Sequence, residues 1–206
     1  MKRARSSSSS KASKFKKTSS NKSLTVYKQP TNPVRFVKRH VDYFTINVSN
    51  ITGAAGAFNF ALNNVPGNAE LVSMYDQYKI SAVGIIFFPK QNVSDRCDTL
   101  DITKGCARIL TCIDYNDDTP PTSADQIREY ETCQVSSVLE KHEVYVKEPL
   151  FLNNSGQNVN GWVSTANPST RFYGCKFFIE PSLMTGISSY QYTVECIFYM
   201  AFKNVK

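Results

Sequence analysis

The chain has 206 residues, 41% of them hydrophobic and 12% aromatic, enough for one folded domain of roughly 160–200 residues plus a tail. Its net charge of +7 is unevenly placed: residues 1–40 hold twelve Lys and Arg and no acid, whereas the other 166 hold twelve bases and all seventeen acids, a net −5. No run approaches the ~20 apolar residues of a membrane span and the N-terminus lacks the apolar stretch of a signal peptide, so no membrane insertion is expected and a polyanion is the expected partner of the basic segment.

Residues 1–23 are a Ser/Lys/Arg low-complexity segment that buries too little apolar area to offset the entropy of ordering, and disorder is expected there. Residues 24–40 are transitional, stiffened by Pro30 and Pro33 and carrying Arg35, Lys38 and Arg39. From residue 41 the period becomes two, with Phe44, Ile46 and Val48 alternating with polar neighbours, and "FNFAL" (58–62) repeats the strand signal briefly. "GNAELVSMYDQ" (67–77) reads as a short helix. "YKISAVGIIFFP" (78–89) reads as a long strand whose second half is apolar on both faces, so a cover on each face is expected, with Pro89 ending it.

"ARILTCI" (107–113) is a further strand, followed by an acidic loop, a helix over 123–130 that Ser123 can cap, and two extended stretches, "TCQVSSVL" and "HEVYVKEP". A strand is expected around Trp162. In "RFYGCKFFI" (171–179), alternation places Tyr173, Cys175, Phe177 and Ile179 on one face. The last stretch alternates most strictly, with Tyr190, Tyr192, Val194, Cys196, Phe198, Met200 and Phe202 on one apolar face. About eight strands with irregular loops and two short helices predict an all-β fold: a single jelly-roll antiparallel β-sandwich (residues 41–206) behind a basic, disordered N-terminal arm (residues 1–40).

The six cysteines show no C-x-x-C pair and only two histidines accompany them, so neither a zinc site nor a disulfide framework is expected; reduced thiols imply an intracellular folding compartment. None of the common nucleophile, zinc-protease, P-loop or dinucleotide motifs occurs, so no enzyme activity, catalytic residue or cofactor is expected. His142 opens a strand and reads as structural. Asp114, Asp117 and Asp118 could hold a hard cation, as in a lectin-like sandwich, but read better as a solvated loop with local turn hydrogen bonds.

The candidate nucleic-acid-binding residues are Lys2, Arg3, Arg5, Lys11, Lys14, Lys16, Lys17, Lys22 and Lys28, with Arg35, Lys38 and Arg39 as a second group where the arm enters the body. Such a segment binds phosphates by releasing counterions, strongly at low salt and with little sequence preference. With no base-reading motif beside it, coating or packaging is the expected role. The same clusters also resemble a bipartite nuclear localisation signal.

"MYDQYKISAVGIIFFP" (74–89) resembles a strand signature of capsid proteins from circular, Rep-encoding single-stranded DNA viruses, the circovirus-like group. "FNFALNNVP", "CIDYNDD", "KHEVYVKEP", the Gly161-Trp162 pair and "YQYTVECIFYMAFKN" agree in order, as does the basic N-terminus. The resemblance implies a jelly roll that assembles with itself into a T=1 icosahedral shell of sixty copies, its arms inward on a single-stranded DNA genome. It also implies residence in the virion and, during assembly, in the host nucleus, with a host import receptor and a cell-surface receptor as further partners. In one respect the chain departs from the family: its arm is lysine diluted by serine rather than arginine, and lysine lacks the bidentate phosphate fork. Two other readings share the sequence features, a non-capsid β-sandwich that binds nucleic acid and the coat protein of a small single-stranded RNA virus.

Overall fold

A computed structural model describes residues 33–49, 51–90, 107–153, 155–181 and 189–206. Two antiparallel sheets share one core. The first is ordered β1 (Val34–Ser49), β11 (Ser189–Val205), β3 (Tyr75–Pro89), β6 (His142–Lys147), with β9 (Val163–Ser164) also on β3. In the second, β10 (Phe172–Ile179) carries β2 (Ala54–Phe60) on one edge. Its other edge carries β4 (Arg108–Cys112), followed by β5 (Gln134–Ser137), and also β7 (Leu150–Leu152), followed by β8 (Asn158–Val159). The first and last of the described strands pair with each other, and this two-sheet arrangement is the expected jelly roll. Among the described residues there are eleven strands rather than eight, because three of them span only two or three residues.

The long terminal strand follows its alternation closely: Tyr192, Val194, Cys196, Phe198, Met200 and Phe202 are buried. They line one face of the first sheet beside Tyr78, Ile80, Val83, Ile85, Phe87, Val144 and Val146, and Phe60, Phe172 and Phe177 of the second sheet complete one continuous core. Burying each of these side chains contributes roughly 1.5–3 kcal/mol before ordering costs. Ring pairs knit the sheets, with Phe60 6.1 Å from Phe198 edge-on and Phe87 5.8 Å from Phe177. The chain enters β2 through Gly53, whose φ of 71° and close approach to the Ile179 carbonyl (2.3 Å from where a Cβ would lie) leave no room for a side chain.

Both short helices lie where expected. α1 covers Asn68–Met74, and α2 covers Ala124–Arg128, with the Gln126 amide donating to the Ser123 hydroxyl at 3.3 Å. Four expectations need correction. β1 begins at Val34, not 41, because Phe36 packs against Phe202 (5.4 Å) and Tyr75 (6.0 Å) and extends the pairing with β11. Tyr173 does not share a face with Cys175: a bulge at Gly174 shifts the register, so Phe172 enters the core and Tyr173 is left half-buried. No strand includes Trp162, which lies between the two-residue strands β8 and β9. Finally, the outer face of the second half of β3 is only part-covered, Phe88 remaining 36% exposed beneath the Lys141 ammonium.

Candidate nucleic-acid interface

Of the predicted binding residues, Lys2, Arg3, Arg5, Lys11, Lys14, Lys16, Lys17, Lys22 and Lys28 lie outside the described residues. Arg35, Lys38 and Arg39 lie on β1, where strand alternation separates them. Lys38 has the parity of Phe36 and pairs with the core residue Phe198, and its side chain is half-buried. Arg35 has the outward parity and is exposed, and the Arg39 backbone shares that parity. The second basic group is thus divided between two faces of one strand.

The register of this sheet brings other residues beside Arg35. One row across the outer face reads Arg35, Ala201, Lys79; the next reads Val37, Tyr199, Ala82, Lys147; a third reads Arg39, Ile197, Gly84, Tyr145. The Tyr145 and Tyr199 rings meet edge to face at 5.9 Å, and the Lys203 ammonium stands 4.4 Å from the centre of the Trp162 ring. These elements enclose a groove of about 470 Å³ lined by Arg35, Lys79, Lys147, Tyr145, Tyr199 and Trp162, with Glu148 its single acid. Among the described residues no ion pair engages Arg35, Lys79 or Lys147. Reading along the chain misses this group, because each member alone reads as the solvated face of its own strand.

The acidic loop has a different occupant from the one considered for it. Lys176, from the core strand β10, places its ammonium 2.7 Å from Asp114 Oδ2 and 2.8 Å from Asp117 Oδ1. Tyr130 donates to Asp114 Oδ2 at 2.7 Å, while the Asn116 and Thr119 amides donate to Asp114 and Asp117 in the expected turn bonds. Burial pushes the Asp114 carboxyl up, but the hydrogen bonds from Lys176, Asn116 and Tyr130 outweigh it and hold it below the usual carboxylate range. Tyr130, donating to that carboxylate, is pushed up to about 12. Asp118 turns elsewhere, accepting from Asn59 Nδ2 at 3.1 Å and facing Arg171 at 3.5 Å. The loop is therefore neutralised by the chain's own cations.

His142 is a tie between the two sheets. From β6 its Nε2 reaches the Thr111 hydroxyl on β4 at 2.8 Å, and its Nδ1 the Ser136 hydroxyl on β5 at 2.7 Å. Burial holds its pKa below the ordinary histidine value. Cys112, Cys133, Cys175 and Cys196 carry thiols, and burial pushes that of Cys112 up to about 12, which makes it a poor nucleophile. Cys97 and Cys106 lie outside the described residues.

The comparisons with known proteins agree with this architecture. The fold is similar to that of the BFDV capsid protein in its 60-mer, at 14% identity and a TM-score of 0.59 over 85% of this chain and 96% of that one. The decameric BFDV capsid protein gives 14% identity and a TM-score of 0.56, over 84% and 100%. The Mud crab tombus-like virus structure gives 10% identity and 0.53, over 100% and 94%. None of the curated proteins matches the chain. The family model described as circovirus capsid protein matches residues 2–206, nearly the whole sequence. A jelly roll whose polar clusters are structural ties, matched along its length by that family, is a shell-building protein rather than an enzyme, and the chain belongs to the circovirus capsid protein family.

Proposed function

We propose that this capsid protein assembles with itself into a sixty-subunit, T=1 icosahedral shell and packages a single-stranded DNA genome through its basic N-terminal segment. The observation that carries this reading is the charge division, +12 over residues 1–40 against −5 over the rest, in a member of the circovirus capsid family. The 60-mer of the similarly folded BFDV capsid protein supports the copy number. Residues 1–40 form the packaging segment, and its last seven residues double as the start of β1. Sixty such segments supply about 720 positive charges against roughly one negative charge per nucleotide, so they condense part of a genome of a couple of thousand nucleotides rather than neutralise it. Lys2, Arg3, Arg5, Lys11, Lys14, Lys16 and Lys17 make the principal contacts, and the same clusters serve as a nuclear import signal read by a host receptor. A cell-surface receptor completes the set of partners.

The test is deletion of residues 1–23. Particles are expected to form but to lose their nucleic acid, seen as a fall in the 260/280 nm absorbance ratio of purified shells. An unchanged ratio overturns the packaging role.

A further inference from the structure

We propose that the folded body also binds the single strand directly, by stacking a base against Trp162 and the Tyr145–Tyr199 pair in the groove on the outer face of the β1-β11-β3-β6 sheet. This inference rests on the packaging reading and assigns a second contact to the body. Three observations favour a nucleic-acid strand as the occupant. The groove lining carries Arg35, Lys79 and Lys147 against Glu148 alone, so the site is complementary to an anion. Aromatic rings stand among these cations, the combination that holds single strands without reading sequence. Pro33, through which the basic segment is covalently continuous with β1, also lines the groove.

The floor of this face also suits a planar ligand. Gly84 lies between Ile197 and Tyr145, and a Cβ there would meet only Ile197, at 3.8 Å, so the sheet surface is flat beside the two tyrosines. Tyr145 is 55% exposed, so its ring is open to a ligand. Residues 1–32 of the same chain are a poor candidate to cover it, since they carry nine bases and no acid.

Trp162 is the one tryptophan in the chain, so its emission reports this groove specifically. Full-length protein is titrated with a fluorescently labelled oligothymidylate of about twenty nucleotides, reading label anisotropy for total binding and Trp162 emission for the groove. Oligouridylate is run in parallel to distinguish DNA from RNA, and inorganic polyphosphate serves as an anion without bases. Saturable quenching of Trp162 by either oligonucleotide, absent with polyphosphate, is expected. In Tyr145→Ala the midpoint of that quenching should weaken roughly tenfold. Replacing Lys2, Arg3, Arg5 and Lys11 by Gln should weaken total binding while leaving the quenching at saturation intact. Anisotropy that rises with Trp162 emission unchanged overturns the groove and leaves packaging by the arm standing. No rise in anisotropy overturns both. Equal quenching by polyphosphate overturns stacking in favour of a bare anion site.

Discussion

The Lys176 ammonium and the Asp114 carboxylate meet at 2.7 Å with 8% and 4% of their side chains exposed, a nearly buried ion pair where core strand β10 passes under the acidic loop. Both charges have given up water, so each depends on the other. Removing one partner strands the other, and a buried unpaired charge costs about 3–5 kcal/mol. Lys176→Met is therefore expected to lower stability by that order in urea unfolding. Lys176→Met combined with Asp114→Asn should recover a good part of it, because the uncharged side chain keeps an oxygen that accepts from Tyr130 or from the Asn116 amide. Equal loss in the single and double variants would show that packing, not charge, sets the cost.

The inter-sheet histidine predicts a distinct pH response. His142 is held neutral by burial, with its folded pKa below the ordinary value near 6.5. Between those two pKa values the unfolded chain binds a proton that the folded chain refuses, so stability falls as pH drops below about 6.5 and is unaffected above it. The Asp114, Asp117 and Glu180 carboxylates are depressed instead, and the stability they contribute is present above their unfolded values near 4 and disappears only below them. Unfolding measured at pH 7.5, 5.5 and 3.5 separates the two windows. His142→Gln is expected to flatten the change between pH 7.5 and 5.5 while leaving the acidic loss in place; an unchanged upper window would assign it to other groups.

Gly174 allows β10 to bulge against β6. A Cβ there would lie 2.4 Å from Val146 Cγ1, inside a core with no free space on that side. Gly174→Ala forces the two sheets apart or the valine out of its rotamer, and a loss of about 1–3 kcal/mol is expected. Thermal unfolding checks this, with Gly161→Ala as the control, where a Cβ would meet only Phe151 at 4.0 Å. A loss at Gly174 no larger than at Gly161 would contradict the close packing.

Much of the body was legible in the one-dimensional pattern. Strict alternation in β11 and in the first half of β3 announced half-buried strands, because a pleated strand can bury only every second side chain in a single core. The absence of catalytic motifs pointed to a structural protein, with which the capsid family match agrees, and the charge division raised the expectation of a polyanionic partner. The errors fell where pairing overrides local pattern. β1 reaches back to Val34 because β11 offers it a partner, and Tyr173 leaves the core face because a bulge adds one residue to the count.

What the sequence by itself determined is therefore periodicity, and with it the class of fold, together with the sign and location of charge. Only the tertiary structure decided which charges meet. Lys176 reads as an ordinary polar position between Cys175 and Phe177, yet sheet packing carries it to the aspartates some sixty positions earlier. Arg35, Lys79, Lys147, Tyr145, Tyr199 and Trp162 lie on separate stretches, and strand register and the β9 pairing gather them around one groove. The physical reason is the same in each case: alternation along a strand is a local property of the backbone, whereas neighbours across strands depend on register, which the whole core sets at once.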